Sequence, residues 1–205
     1  ARKKKRLLSE AIVFHYHHQI NDAIKEINSL KNLVHVKARF VIPKFPKKKF
    51  HNFKKYGGGC LLDMGPYAAA VFRIFVAKNI RKVTYFSSSK ENRNGVNTNF
   101  NVEIIAGKKS FSGYFSHNGE YENTLTLFTK KKSVTINRVF SPPNDIDLTL
   151  RINTDNTNKE KKLKSDDTFF NYFNKIITLL KAKEFENSYQ NLLKDSFFRE
   201  KLCSK

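Results

Sequence analysis

The chain has 205 residues, of which 40% are hydrophobic, so it can bury a substantial core and is not a disordered polypeptide. Its 39 Lys and Arg residues outnumber its 18 Asp and Glu residues and give a net charge of +21 at pH 7, which usually indicates a polyanionic partner. The lysines recur in short runs typical of solvated turns, and two cysteines do not make a disulfide framework.

The start of the chain combines a basic stretch, an apolar stretch and a cluster of histidines. Residues 1–6 read as the last turn of a preceding helix, and the apolar, β-branched residues 7–14 predict a buried strand. The segment His15-Tyr16-His17-His18-Gln19 follows. Imidazoles are common zinc and iron ligands, but no paired His or Cys spacing supports a metal site, and a turn at the mouth of a cleft is the competing interpretation.

The next elements alternate between helix and strand and end at a run of glycines. Residues 19–30 have apolar positions at the spacing of an amphipathic helix, and residues 33–42 alternate with the period of a strand that ends at Pro43. A lysine-rich, aromatic loop over residues 44–56 leads to Gly57-Gly58-Gly59. Three glycines permit unusual backbone angles, so we expect a tight turn that feeds an apolar helix over residues 59–77.

Asp63 and Tyr67 lie four residues apart on this predicted helix, so their side chains project from the same face. Pro66 lies between them, which predicts that the helix begins near Gly65 or is kinked there. Spacing alone is also compatible with a structural pair, in which Asp63 caps the helix and Tyr67 is a half-buried aromatic side chain.

The rest of the chain is predicted to be mostly strand, followed by two helices. Residues 154–165 are polar and predict a mobile loop. Residues 166–168 predict the cap of the first helix, and residues 188–203 predict the final one. The fold class is therefore α+β, with a large, mostly antiparallel, open sheet and helices on one face. The predicted strands cover residues 80–88, 99–106, 110–117, 123–129 and 133–139, as consecutive antiparallel strands of a meander, and residues 145–152.

Two stretches resemble a known family. The string GGGCLLDMGPYAAAVFRIF resembles the segment that opens a helix in the C-terminal domain of the Gfo/Idh/MocA family of NAD(P)-dependent oxidoreductases. Residues 10–19 resemble the segment with which that domain begins, although His15 stands where the family pattern has Arg and His18 where it has Pro. The resemblance implies that residues 1–6 are the remnant of a preceding Rossmann domain and that residues 7–205 form the substrate-binding and oligomerisation domain.

The resemblance also implies an activity and its residues. The expected reaction transfers a hydride between NAD or NADP, bound mainly by the Rossmann domain, and a secondary alcohol of a sugar, cyclitol or nucleotide-linked sugar. The pattern of the family places Asp63 and Tyr67 in the active site, where Tyr67 is expected to accept or donate the proton of the substrate hydroxyl. Contacts to the substrate are expected from His15 and His17 in the entry segment and from Lys44 and Lys54 in the loop that borders the pocket.

Two alternatives of other classes stay open. A basic nucleic-acid-binding module, with aromatic side chains stacking on bases between lysines, would explain the charge but not the glycine-rich string. A non-catalytic relative could serve as an oligomerisation surface, because an uncovered sheet face would be an apolar patch that needs a partner. With no long apolar run and no signal-peptide pattern, we expect an unexported, cytoplasmic protein that does not bind a membrane. The family resemblance implies a homo-oligomer that pairs through the sheet face, and we expect no specific nucleic-acid partner.

Overall fold

The structure is a computed structural model that describes residues 1–77, 83–92 and 94–203. Within these residues it has four α-helices and eight β-strands in a single sheet. The helices are α1 His18–Glu26, α2 Cys60–Val71, α3 Thr168–Ala182 and α4 Glu186–Cys203. The strands are β1 His35–Val41, β2 Val83–Glu91, β3 Asn97–Ala106, β4 Lys109–Ser116, β5 Glu122–Phe128, β6 Lys132–Asn137, β7 Leu148–Thr154 and β8 Asn158–Leu163.

The strand order differs from the predicted meander in one place. The order is β2-β3-β4-β1-β5-β6-β7-β8, so β1 lies between β4 and β5. It pairs in parallel with β4 and antiparallel with β5, whereas every other pair in the described sheet is antiparallel. The expectation that β4 and β5 are neighbours is therefore wrong. A distant strand can enter the middle of a sheet because its backbone groups find partners on both sides there.

One face of the sheet carries the core. Along β1 the side chains of Val36, Ala38 and Phe40 are buried, and the neighbouring strands bury the residues in register with them. Helices α1 and α2 contribute to the same apolar cluster, so both cover this face. The predicted α+β class, with a mostly antiparallel open sheet and helices on one face, is confirmed. None of the helices that the structure describes has the length and apolar character needed to cross a membrane.

On the four central strands the other face of the sheet is mainly polar, so the expected apolar patch is absent from these described strands. Towards the β2 edge, Phe86 and Ile105 are exposed on the same face. Arg39 donates a hydrogen bond of 2.6 Å to Glu122, and the hydroxyls of Thr126 and Thr135 lie 3.0 Å apart. Hydroxyl and charged side chains can remain solvated here, which removes the hydrophobic need for a partner. The side chains in register on this face of the four central strands are Ser110, Ser112, Tyr114, His35, Lys37, Arg39, Glu122, Thr124, Thr126, Phe128, Ser133, Thr135 and Asn137.

The buried strand predicted for residues 7–14 is wrong. Residues 7–12 have no regular structure, and a short 3-10 helix, Val13–Tyr16, follows. Phe14 is fully buried, but its ring packs against Phe140 at 5.3 Å between centroids and not within a sheet. Of residues 7–14 only Val13 and Phe14 are buried, and Leu8 is 56% exposed, so apolar composition predicted the burial of the end of this segment only. It did not predict the backbone conformation, and β1 offers no free edge because it is paired on both sides.

The mobile loop predicted for residues 154–165 is also wrong, because β8 lies within it. This edge strand pairs antiparallel with β7, and its only buried side chain is that of Leu163. Arg151 is hydrogen bonded to Glu160 at 3.1 Å, and Lys161 to Glu26 at 2.8 Å. A charged edge strand is a common defence against edge-to-edge association, and its polar composition resembles that of a loop.

The helix predictions agree well with the structure. The predicted helix over residues 19–30 corresponds to α1, and Asp167 caps α3 by accepting a hydrogen bond from Phe170 N at 2.9 Å. Helix α2 begins at Cys60, close to the start predicted at residue 59, and runs through Pro66, so the alternative start near Gly65 is wrong. It continues as a π-helical turn, Phe72–Val76. Of the strand predicted at residues 80–88, residues 80–82 lie outside the described residues. The hydroxyl of Tyr189 on α4 donates a 2.6 Å hydrogen bond to the carbonyl oxygen of Arg6.

Candidate active site

The triple glycine brings the preceding loop against the start of α2. Gly57 and Gly59 have φ angles of 72° and 122°, in the region that glycine adopts readily and other residues do not. Gly58 is required for space, because a Cβ there would lie 2.6 Å from the carbonyl oxygens of both Phe50 and His51. The glycine turn thus permits a close approach of two backbone segments that no side chain could allow.

Asp63 and Tyr67 follow this turn on α2, as the sequence predicts. The Asp63 side chain is 43% exposed, whereas the Tyr67 ring is partly buried among Phe14, Phe40 and Phe140, with centroids 6.3, 5.4 and 5.6 Å away. Burial, and then the negative charge of Asp63, raise the pKa of the Tyr67 phenol above its usual value of 10.0. The phenol therefore retains its proton at neutral pH.

Asp63 does not cap the helix. The N-cap residue of α2 is Gly59, and the backbone N–H of Asp63 donates to the carbonyl oxygen of Gly59 at 3.1 Å. Its carboxylate Oδ2 instead lies 2.9 Å from Nε2 of His117. The interpretation of Asp63 as a capping residue is therefore wrong, and the carboxylate is available for contacts beyond its own helix.

His117 is the residue that sequence reasoning missed. It directly follows β4, its side chain is 7% exposed, and its backbone N–H donates to the carbonyl oxygen of Thr98 at 2.9 Å. Phe45, from the loop before α2, packs edge-on against the imidazole at 5.0 Å between centroids. Packing and the backbone hydrogen bond together hold the ring so that Nε2 meets the carboxylate of Asp63.

A second histidine extends this cluster. The ring of His51 is stacked between Phe45, at 3.7 Å, and Phe50, at 3.8 Å, and lies 5.9 Å from His117. Partial burial lowers the pKa of His51. No local motif marks either histidine, since 54 positions separate His117 from Asp63 and only the fold brings the loop and the end of β4 to the start of α2.

His15 lies in a different environment. It borders a crevice of about 70 Å³ together with Arg73 and Asp195, which form an ion pair of 2.8 Å. Burial, and then the positive charge of Arg73, lower the pKa of His15 to about 4. Among the described residues, no hydrogen bond, ion pair or ring contact joins His15 to Asp63 or Tyr67, and the substrate contact expected of it stays a prediction.

His17 is fully buried at the start of α1, where its Nδ1 accepts a hydrogen bond of 3.1 Å from Gln19 N. Ligand atoms of His17, His18 and Asp166 lie within 4.8 Å of one another, the arrangement that the metal interpretation requires. Oδ2 of Asp166 lies 2.9 Å from the backbone nitrogen of His18 and 3.0 Å from its Nδ1. These hydrogen bonds fasten the segment before α3 to the start of α1, and a metal ion would have to replace them.

Lys44 and Lys54 are exposed residues on either side of the stacked rings of the loop. Lys44 precedes Phe45, which contacts His117, and Lys54 lies three residues before the glycine turn. Neither lysine forms an ion pair with any described residue. Their proximity to the candidate site is compatible with the expected substrate contacts, which stay predictions.

Comparison with known proteins relates the chain to sugar-modifying oxidoreductases. It is 28% identical over 173 residues to dTDP-3,4-didehydro-2,6-dideoxy-alpha-D-glucose 3-reductase of Saccharopolyspora spinosa, covering 82% of this chain and 51% of the relative. The chain therefore spans about half the length of this curated relative.

Solved structures share the fold. KijD10, a 3-ketoreductase from Actinomadura kijaniata solved with TDP-benzene and NADP, matches with a TM-score of 0.86 and 19% identity, over 100% of this chain and 63% of that one. The aldose-aldose oxidoreductase of Caulobacter crescentus matches with a TM-score of 0.81 and 16% identity, over 98% and 62%. The model of the GFO/IDH/MocA C-terminal domain matches residues 24–135, and the chain therefore belongs to the Gfo/Idh/MocA family.

Proposed function

We propose that the protein containing this chain is an NAD(P)-dependent oxidoreductase that interconverts a secondary alcohol and a ketone on a sugar, cyclitol or nucleotide-linked sugar. The observation that carries the proposal is the partly buried phenol of Tyr67, four residues from the exposed carboxylate of Asp63. His117 forms a hydrogen bond with this carboxylate and fixes its position. The names of the relatives agree with it, since one reduces a dTDP-sugar at position 3 and another is a 3-ketoreductase solved with NADP.

The donor set of this chain fits the substrate side of such a site. Tyr67 and Asp63 provide groups for proton transfer and hydroxyl binding, whereas the sequence contains no Gly-x-Gly-x-x-Gly turn for cofactor phosphates. We therefore assign NAD or NADP mainly to a Rossmann domain outside residues 7–205, with residues 1–6 as the remnant of its last helix. When bound, the nicotinamide supplies or accepts the hydride.

Tyr67 is the proton donor or acceptor in this scheme. In the reductive direction the phenol donates its proton to the ketone oxygen, and in the oxidative direction the phenolate takes the proton from the hydroxyl. The raised pKa keeps the phenol protonated at neutral pH, the form from which the reductive direction starts. Oxidation would require a nearby cation to lower that pKa.

Asp63 orients the substrate. His117 occupies its Oδ2, whereas Oδ1 has no hydrogen-bond partner among the described residues and can accept a hydrogen bond from a substrate hydroxyl. His117 therefore acts as a positioning residue, because it fixes the carboxylate through a 2.9 Å hydrogen bond.

The remaining contacts are assigned by position. Lys44 and Lys54 would bind a phosphate or carboxylate on the substrate, and His15 would contact it from the entry segment. The contact expected of His17 would require its fully buried ring to become accessible. We also assign homo-oligomerisation to the open sheet face, whose hydroxyl and charged side chains suit a hydrogen-bonded interface.

The test measures NADPH oxidation by the intact protein with dTDP-linked 3-keto sugars as substrates. Tyr67→Phe removes one hydroxyl and should lower kcat about a hundredfold or more, the scale of a lost general acid, while leaving the unfolding midpoint nearly unchanged. Asp63→Asn should also impair turnover, since the amide presents a donor and a weaker acceptor to the substrate.

Tyr85→Phe is the matched control. Tyr85 is also partly buried with a raised pKa, but it lies on β2 against Phe72 and Phe198, so losing its hydroxyl should leave kcat within about twofold of wild type. Wild-type turnover in both Tyr67→Phe and Asp63→Asn would remove the site assignment, and no turnover with any keto sugar by the wild-type protein would remove the proposed reaction.

A further inference from the structure

The lysines that look scattered in the sequence converge at one end of the sheet. A depression of about 550 Å³ lies there, lined by the end of α1, the residues before β1, the β3–β4 turn and the β5–β6 turn. No aspartate or glutamate lines it. Its lysines are Lys31, Lys108, Lys109, Lys130, Lys131 and Lys132.

The strand order produces this convergence. Because β1 lies between β4 and β5, the turn before β4 and the turn after β5 flank the start of β1. Ser110 N donates to Val34 O at 3.0 Å, and Val34 N donates to Phe128 O at 2.9 Å, so backbone hydrogen bonds join the three segments. Lysines that the sequence distributes over several turns therefore meet at one end of the sheet.

The turns that carry the lysines are held in place by their own hydrogen bonds. The hydroxyl of Thr129 accepts from Lys131 N at 3.2 Å and from Lys132 N at 3.0 Å. The ammonium group of Lys132 donates to the carbonyl oxygen of Glu26 at 2.8 Å, which ties this turn to the end of α1. The backbone of the depression is therefore ordered before any ligand binds.

Four of the lysines keep their charge available. Lys31, Lys108, Lys130 and Lys131 are exposed, and none of them forms an ion pair with a residue in the described ranges. Ammonium groups gathered around a concave surface repel one another and raise the local concentration of anions. A bound anion would relieve this repulsion.

We propose that this depression, named here the lysine pocket, binds a small molecule that carries two or more linked phosphate groups. Several ammonium groups from separate turns exceed what one phosphate can neutralise, and lysine binds phosphate as a point charge. Buried Ile27 and Leu33 form an apolar floor for an organic portion, and the volume is within the range of small-ligand sites.

The lysine pocket is separate from the candidate active site. Lys109 begins β4 and His117 follows its last residue, so at about 3.3 Å per residue the two positions are about 26 Å apart. The pocket has no aromatic side chain in its lining, which argues against base stacking and a nucleic-acid strand as its ligand.

The experiment is a calorimetric titration of the intact protein with tripolyphosphate at physiological salt, since screening removes weak non-specific attraction. The triple variant Lys108→Gln/Lys130→Gln/Lys131→Gln should weaken binding about tenfold or more, because it removes three ammonium groups from one pocket. The control variant Lys159→Gln/Lys162→Gln/Lys164→Gln removes the same charge from exposed positions at and beside the edge strand β8 and should change the Kd less than about twofold.

Circular dichroism of both variants establishes that they are folded. Equal weakening in the two variants would show that net charge alone attracts tripolyphosphate and would overturn the proposal, as would the absence of binding to the wild-type protein. The proposal would also be overturned, in favour of nucleic acid, if a single-stranded oligonucleotide bound the wild-type protein more tightly than tripolyphosphate and the triple variant of the lysine pocket lost this binding.

Discussion

The two ends of the sheet use opposite means to place their functional groups. At the end where β4 leads to His117, rings and one hydrogen bond hold Asp63 and Tyr67, and the imidazole is almost fully buried. At the other end, the lysine pocket consists of exposed ammonium groups on turns that backbone hydrogen bonds hold in place. Proton transfer requires fixed atoms within hydrogen-bond distance, whereas binding of an anion by charge tolerates several side-chain positions.

Packing around the end of the sheet that carries Asp63 and Tyr67 should therefore dominate stability. Phe140 is 2% exposed and packs against Phe14, Phe40 and Tyr67, so Phe140→Ala should lower the free energy of unfolding by about 3–5 kcal/mol, the usual range for a buried phenylalanine. At the lysine end, Lys130→Ala should change it by less than about 0.5 kcal/mol.

Urea unfolding followed by circular dichroism measures both values. A similar loss in the two variants would contradict the contrast between a packed end and a solvated end. Loss of turnover in Phe140→Ala at temperatures where it remains folded would sharpen the contrast, because the Tyr67 ring would have lost part of its support.

A second contrast concerns two histidines. Burial, and then Arg73, lower the pKa of His15 from 6.5 to about 4, whereas the pKa of His35, at the start of β1, is lowered by burial and then by Lys37 without so large a shift. Below pH 6.5 the unfolded chain binds a proton at position 15 that the folded chain does not. Stability contributed by the neutral His15 is therefore present above pH 6.5 and is lost as the pH falls to about 4, by up to about 3 kcal/mol.

The measurement compares the free energy of unfolding of wild type, His15→Gln and His35→Gln between pH 7 and pH 4. The pH dependence should be clearly shallower in His15→Gln than in wild type and only slightly shallower in His35→Gln. Identical slopes in wild type and His15→Gln would refute the assignment of a neutral, buried imidazole at position 15.

Substitutions of two glycines, one near each end of the sheet, are expected to have smaller effects on stability. Gly58→Ala should cost about 1–3 kcal/mol, because its Cβ would meet two backbone carbonyl oxygens at 2.6 Å and the turn before α2 would have to move. Gly107 lies in the β3–β4 turn with φ 61° and open space around it, so Gly107→Ala should cost only the left-handed strain of about 1–2 kcal/mol.

Thermal unfolding provides the stability ranking, and NADPH oxidation provides a second readout. Gly58→Ala should also reduce turnover, since the displaced loop carries the rings that contact His117. Full activity with wild-type stability in Gly58→Ala would mean that the turn does not help to build the site.

Sequence periodicity was sufficient for most elements because their patterns are local. Helix α3, Thr168–Ala182, follows from a cap and an apolar stripe. Most strands of the sheet follow from alternation, since burial on one face selects every second residue. The failures at residues 7–14 and 154–165 have one origin. Whether a segment becomes a strand depends on a free edge beside it, and no local pattern records which edges are free.

The sequence by itself determined the family resemblance, the α+β class and the proximity of Asp63 and Tyr67, because a glycine turn and four-residue spacing on a helix are local properties. Only the tertiary structure brought His117 to Asp63 and gathered the lysines of separate turns into one pocket. The lysine pocket depends on the insertion of β1 between β4 and β5, and the contact of His117 with Asp63 depends on the packing of α2 against β3 and β4. Long-range backbone pairing decides the strand order in both cases. Such pairing joins residues far apart in the chain, and their identities alone do not specify their neighbours.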